Sequence, residues 1–293
     1  RGRVRGRVRG RGRGRGRGRM SLNSKIEWTD ATWNPVSGCS KVSAGCKNCY
    51  AERISRRWWG SREFTDVQLH PERLDWPLQW RKPRRIFVNS MSDLFHPKVT
   101  DEFIGKVIEV MRLAKHHTFQ VLTKRPDRMR AMMKSFPNVW AGVSIEDQAT
   151  ADERIPLLLN TEASVRFISA EPLLGPVDLL LAAADSFSSM AGIHWVIAGG
   201  ESGPEARPMH PDWVRDIRDQ CLTAGVPFFF KQYGSWGPRS LRDWLEKNRH
   251  WFPTPKPHGT AVWKNPVRLN GRLLDGREWN EFPKEQTESV AAK

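Results

Sequence analysis

From Arg85 onward the hydrophobic pattern of the chain repeats. Short apolar runs recur at Ile86–Ser90, Phe119–Lys124, Val139–Ser144, Val165–Glu171, Trp195–Gly200 and Phe228–Gln232, about 20 to 35 residues apart, and each ends in polar residues. The segments between them, Asp101–His116, Asp127–Lys134, Asp147–Leu159 and Pro211–Ala224, read as helices. This is the rhythm of repeated βα units around a parallel sheet. One more strand is expected before Cys39, which brings the count to about seven. The fold class predicted is therefore α/β, with a partial βα barrel of parallel strands.

Outside that rhythm the pattern changes. Residues 60–84 are charged and rich in Trp and Pro, and read as a surface excursion. After Gly234 the composition turns to Trp, Pro, Arg and Gly, with an Asn270-Gly271 turn between apolar residues and a second turn at Asp275-Gly276. The expected organisation is a tail over 1–19, a barrel over 20–233, and a small C-terminal β-rich appendage with a hairpin over 234–293, frayed from residue 284.

Charge adds a partner class. The net charge is +16, but residues 1–19 alternate Arg with Gly or Val and carry ten arginines, so about +6 remains for the rest. Such a tract cannot form a core and is expected to be disordered. It could hold RNA or DNA through phosphates, although Met20 reads as the natural start. There is no run of eighteen apolar residues and no apolar segment behind the basic tail. No membrane association and a cytoplasmic location are therefore expected. Oligomeric state is left open.

The chemistry concentrates between Trp33 and Glu52. Cys39, Cys46 and Cys49 stand in the pattern C-x6-C-x2-C, and Cys221 lies far away in a helical stretch. Gly38 and Gly45 each precede a cysteine. Asn48–Trp59 reads as a helix, which places Cys49 at its N-terminus, where the partial positive charge favours a thiolate. Three thiolates leave a zinc site one ligand short, whereas an iron–sulfur cluster held by three cysteines keeps one iron free. Spacing leaves cluster, zinc and free thiols open, in that order of preference.

In βα folds reactive groups gather at the carboxyl ends of the strands. Polar residues fall there in number, among them Ser92, Thr123, Arg125, Glu146, Ser202 and Gln232. Asp93, Lys124, Glu171, Glu201 and Lys231 are the catalytic candidates. Asn89, Ser90, Ser144, Gly199, Gly200 and Glu201 are candidates for holding a cofactor. The sequence Gly199-Gly200-Glu201-Ser202-Gly203 matches neither a dinucleotide fingerprint nor a P-loop. The histidines show no metal-motif spacing, and His116-His117 reads as a capping pair at a helix end.

A set of motifs spans most of the chain in order: Glu27-Trp28-Thr29, Trp33-Asn34-Pro35, Cys39-x6-Cys46-x2-Cys49-Tyr50, Ser92-Asp93-Leu94-Phe95, Leu122-Thr123-Lys124-Arg125, Ser169-Ala170-Glu171-Pro172-Leu173, Gly199-Gly200-Glu201-Ser202 and Phe229-Phe230-Lys231-Gln232. By these motifs Met20 to about Pro283 resembles the phage and prophage three-Cys-motif proteins, a family of unknown function grouped with the radical S-adenosylmethionine enzymes. The resemblance implies that Cys39, Cys46 and Cys49 hold a [4Fe-4S] cluster whose remaining iron is chelated by S-adenosylmethionine. It implies reductive cleavage of that cofactor and radical modification of a substrate. A phage setting adds a neighbouring phage-encoded protein and nucleic acid as expected partners. The pattern departs from the commoner one in three places. The first gap is six residues, the aromatic Tyr50 follows the last cysteine, and Asn89–Asp93 stands where a glycine-rich stretch is usual. The alternative is a zinc-stabilised nucleic-acid-binding protein, its site closed by a histidine.

Overall fold

The computed structural model describes residues 24–182, 190–238, 251–252, 262–264 and 271–284. The Arg/Gly tail, most of the appendage and the frayed end lie outside them. Seven parallel strands form one sheet in chain order: β1 (Ala31–Trp33), β2 (Arg85–Val88), β3 (Thr118–Thr123), β4 (Val139–Ile145), β5 (Val165–Ala170), β6 (Trp195–Gly199) and β7 (Phe228–Gln232). The sheet curls into a half-barrel, and β1 and β7 form its two edges.

The helices are α1 (Tyr50–Trp58), α2 (Asp101–Leu113), α3 (Pro126–Met132), α4 (Gln148–Leu159), α5 (Leu179–Ala182) and α6 (Pro211–Ala224). Their starts are written in local chemistry. Thr100 accepts from the Phe103 amide at the start of α2, Asp147 and Thr150 form a reciprocal capping box on α4, and Pro211 opens α6 after the N-cap His210. Helix α2 stops at Leu113, three residues short of expectation. His116 and His117 do not cap it; they donate to the carbonyls of Trp80 (2.6 Å) and Pro77 (3.1 Å) and so tether the excursion before β2.

The two faces of each strand serve different cores. Val139, Ala141, Val143 and Ile145 of β4 face the helices, together with Ile168 of β5, Ala198 of β6, and Phe228 and Phe230 of β7. The inward set begins with aromatics. Trp28, Phe87, Trp140, Phe167, Trp195 and Phe229 form a separate buried cluster, with Trp195 at its centre, 5.7 to 6.3 Å from the rings of Trp28, Trp140, Phe167 and Phe229. Such ring pairs contribute about 0.5–1.5 kcal/mol each beyond their burial. They plug the amino-terminal half of the barrel. Toward the carboxyl ends the inward residues turn polar: Asn89, Lys124, Ser144, Ser169 and Lys231 line the space above the plug.

The appendage is β-rich. Trp236–Pro238, Trp251–Phe252 and Val262–Lys264 make a three-stranded antiparallel sheet, and Leu273–Leu274 pairs with Arg277–Glu278 across the Asp275-Gly276 turn, where both residues have positive φ. The hairpin expected around Asn270-Gly271 lies partly outside the described residues. Trp279–Glu281 runs antiparallel to β7, with Phe230 donating to the Trp279 carbonyl (2.9 Å), and so satisfies an otherwise open sheet edge. No helix among the described residues is long and apolar enough to cross a membrane.

The plug leaves no room at Gly142, where an added Cβ would lie 2.4 Å from the Phe167 ring. Gly142→Ala is expected to destabilise the fold by about 1–3 kcal/mol, measured as a shift in the urea midpoint. Combined with Phe167→Leu, the loss should be smaller than the sum of the two single losses.

Candidate functional site

The cysteine loop leaves β1 and is held down on several sides. Val36–Ser37 pairs antiparallel with Gln68–Leu69, Gly38 bridges to Ser92, and the Cys39 amide donates to the Phe64 carbonyl (2.9 Å). Gly38 has φ 96°, a conformation that favours glycine. Gly45 is needed for a different reason, because an added Cβ would sit 2.4 Å from the Glu146 side chain. Ser43 donates to Glu146 (3.0 Å), Arg125 to the Ser40 carbonyl (2.9 Å), Asn48 to Glu201 (3.1 Å) and Arg53 to the Ser202 carbonyl (3.0 Å). The loop is thus bound to the segments that follow β3, β4 and β6.

Beneath it lies a cavity of about 410 Å³. All three cysteines of the motif line it, half-buried, and Cys221 is buried elsewhere in α6. Among the candidates, Asn89, Ser90, Asp93, Lys124, Ser144, Glu171, Gly200, Glu201 and Lys231 line the same cavity. Gly199 does not; it backs Glu171, whose carboxylate would lie 2.6 Å from a Cβ there. Among the described residues no histidine lines the cavity and no three His, Cys, Asp or Glu side chains converge closely enough to hold a metal ion. The histidine expected to close a zinc site is therefore not supplied by them. His96, near the loop, is engaged with Ser40 (2.8 Å), and His250 and His258 lie outside the described residues.

Each charged candidate has an ion-pair partner, and only Lys231 and Glu171 pair with each other. Asp93 accepts from the amides of Phe95 (3.0 Å) and Lys124 (3.1 Å), from the Thr123 hydroxyl (2.7 Å) and from Arg125 (3.0 Å). Arg125 in turn reaches the Cys39 sulfur at 3.6 Å. Lys124 donates to Ser144 (2.8 Å) and is ion-paired with Glu146, which has no solvent exposure and also meets Arg154 (3.3 Å). Lys231 meets Glu171 at 3.0 Å, and Ser169 supports the other carboxylate oxygen (3.2 Å). Glu201 accepts from the Arg207 side chain at 2.6 and 2.9 Å. Asp93 and Glu201 act mainly as anchors. Asn89 differs: its Oδ1 accepts from the Val36 amide (3.2 Å), while its buried Nδ2 has no partner among the described residues.

Electrostatics follow from burial and these pairs. Burial, with the nearby Asp93 charge, pushes the Cys39 thiol up to about 11, against the opposing pull of Arg125. Burial also raises Cys49, although the backbone N–H groups of Glu52 and Ala51 at the start of α1 work the other way. The helix N-terminus is present as expected, but desolvation outweighs it. For Lys231, burial disfavours the ammonium, and the Glu171 carboxylate more than compensates, holding its pKa above the ordinary lysine value.

A family model described as "Protein of unknown function (DUF5131)" matches residues 23–283. The chain belongs to this family. No curated protein matches it. Similar solved structures include spore photoproduct lyase complexed with dinucleoside spore photoproduct, at 10% identity and TM-score 0.44, covering 84% of this chain and 71% of that one. They also include a mutant of the same lyase with bound AdoMet and dinucleoside spore photoproduct, at 9% identity and TM-score 0.41, covering 82% and 70%. Likeness at that level says nothing about activity. In this family member the groups that hold the cysteine loop include Asn48, Arg154 and Arg207, which no local sequence signal marks. Arg125 and Glu146 stand visibly at strand ends, but nothing adjacent to them shows their partners.

The Glu201–Arg207 pair yields a pH test. Burial works to raise the Glu201 pKa, and the hydrogen bonds from Arg207 and Asn48 outweigh it, so the folded value lies below the ordinary one. Its stabilisation is present above the unfolded carboxylate range, near 4.3, and is lost as pH falls through the lower folded value. Arg207→Gln should cost about 1–3 kcal/mol at pH 7. The gap to the parent in urea midpoint should narrow below about pH 4.

Proposed function

We propose that the chain is an iron–sulfur enzyme of the radical S-adenosylmethionine type. The observation that carries this reading is that three thiols from one loop face a single cavity at the carboxyl mouth of a parallel half-barrel, beside a buried amide donor with no partner among the described residues. The donor set fits. Thiolates are the ligands iron–sulfur clusters take. A four-iron cluster binds each thiolate on a separate iron, so its ligands surround a volume and need not converge on a point. Cys39, Cys46 and Cys49 all line the one cavity.

When bound, the cluster with S-adenosylmethionine supplies radical chemistry capable of taking hydrogen from an unactivated carbon. The chain's own residues position and shield. Arg125 places a positive charge beside Cys39 and favours its deprotonation, as ligation requires. Asn89 would offer its Nδ2 hydrogens, which have no partner among the described residues, to an acceptor on the cofactor. Ser90, Ser144, Gly200 and Glu201 line the same cavity and would complete the cofactor's surroundings, and Lys124, Glu171 and Lys231 add charge to that lining. The aromatic plug keeps water from entering through the barrel floor.

Anaerobic purification and reconstitution test the reading. The parent should be brown, bind about four irons per chain, and change its electron paramagnetic resonance signal on addition of S-adenosylmethionine. Cys39→Ala, Cys46→Ala and Cys49→Ala should each lose most of the iron, while Cys221→Ala keeps it. A colourless, iron-free parent after reconstitution would overturn the proposal.

A further inference from the structure

Helix α1 stands apart from the other long helices. Only Ala51 and Ser55 are buried in it, and its hydrophobic residues Tyr50, Ile54 and Trp58 are 43%, 40% and 72% exposed. Spaced four apart, they form one stripe along a single helical face. The stripe begins at the cavity, which Tyr50 lines and where its hydroxyl donates to the Ser90 carbonyl (2.5 Å). It ends roughly 12 Å away at Trp58, by the helical rise of eight residues.

Positive charge flanks it. The Arg57 guanidinium lies 5.4 Å from the centroid of the Trp58 ring, and Arg53 uses one nitrogen on the Ser202 carbonyl. The nearby carboxylate, Glu52, is taken by Lys41 (3.1 Å) and Arg56 (2.7 Å). An exposed indole beside guanidinium groups is the arrangement that stacks bases and meets phosphates on single strands. An acidic protein partner would use the arginines but not the bare indole. A duplex could not bring a base over the rim without unstacking it.

We propose that the Tyr50–Ile54–Trp58 stripe with Arg53 and Arg57 is a docking platform for single-stranded nucleic acid, which leads one nucleotide into the cavity. This rests on the cavity being the reaction site proposed above, and it assigns the substrate class.

The test is fluorescence anisotropy with a labelled 12-nucleotide single strand of mixed sequence. It uses the full chain throughout, so that the amino-terminal arginines contribute equally. Trp58→Ala should weaken binding roughly 5- to 150-fold, the span for one stacked base. Arg57→Glu should weaken it and lower the slope of log K against log salt by about 0.7. Arg130→Glu, the same charge change at an exposed position of α3, should leave both unchanged. The proposal is overturned if the parent does not bind, if Trp58→Ala and Arg57→Glu bind as the parent does, or if Arg130→Glu loses as much. Binding is read without the cluster, so a protein that stays iron-free after reconstitution yet binds in a Trp58-dependent way would sink the enzymatic reading and leave the docking surface standing.

Discussion

A carboxylate without access to water joins the cysteine loop to the barrel. Glu146 follows β4 and is fully buried, a position no carboxylate holds without compensation. Its partners come from three directions: Lys124 after β3, Arg154 from α4 and Ser43 from the loop itself. Gly45 lies against the same side chain with no room for a Cβ. Removing one partner would leave charge stranded in a low dielectric, so the loop, strand end and helix are bound to a single arrangement. The position of the cysteines over the cavity is a consequence of that arrangement.

The same logic repeats around the rim with different charges. Asp93 with Arg125 fixes the Cys39 side, and Glu201 with Arg207 and Asn48 fixes the side toward α1. The aromatic plug below makes these pairs stronger by displacing water from the barrel floor. Lys231 with Glu171 forms a further charged pair in the lining of the same cavity.

Most of the fold was legible because parallel strands covered by helices are apolar along their length. The six runs named from sequence coincide with β2 to β7 within two residues at each end, and the strand before Cys39 is β1. The end of α2 was misjudged because His116 and His117 look like a helix terminus, yet they serve carbonyls 36 and 40 residues away. All three cysteines of the motif line one cavity, and their clustering was legible in the sequence. Their supports were not, since Arg125 lies 86 residues from Cys39, Glu146 lies 103 from Ser43, and Glu201 lies 153 from Asn48. Local pattern carries periodicity and turns; it does not carry which strand end faces which loop.

An open sheet changes what such a site can admit. A closed eight-stranded barrel fills its interior with side chains and presents a narrow mouth. Here seven strands run in linear order with unjoined edges, one of them covered by Trp279–Glu281. Residues 25–28, entering before β1, line the cavity and lead down to Trp28 on the plug. The wall is therefore made partly of loop and entry segment, and α1 leaves it outward with its apolar stripe bare. A small metabolite needs no such approach. The single strand proposed above as substrate would need one, because most of it must rest outside while one unit enters, and charge with exposed ring surface would give that outer length somewhere to lie.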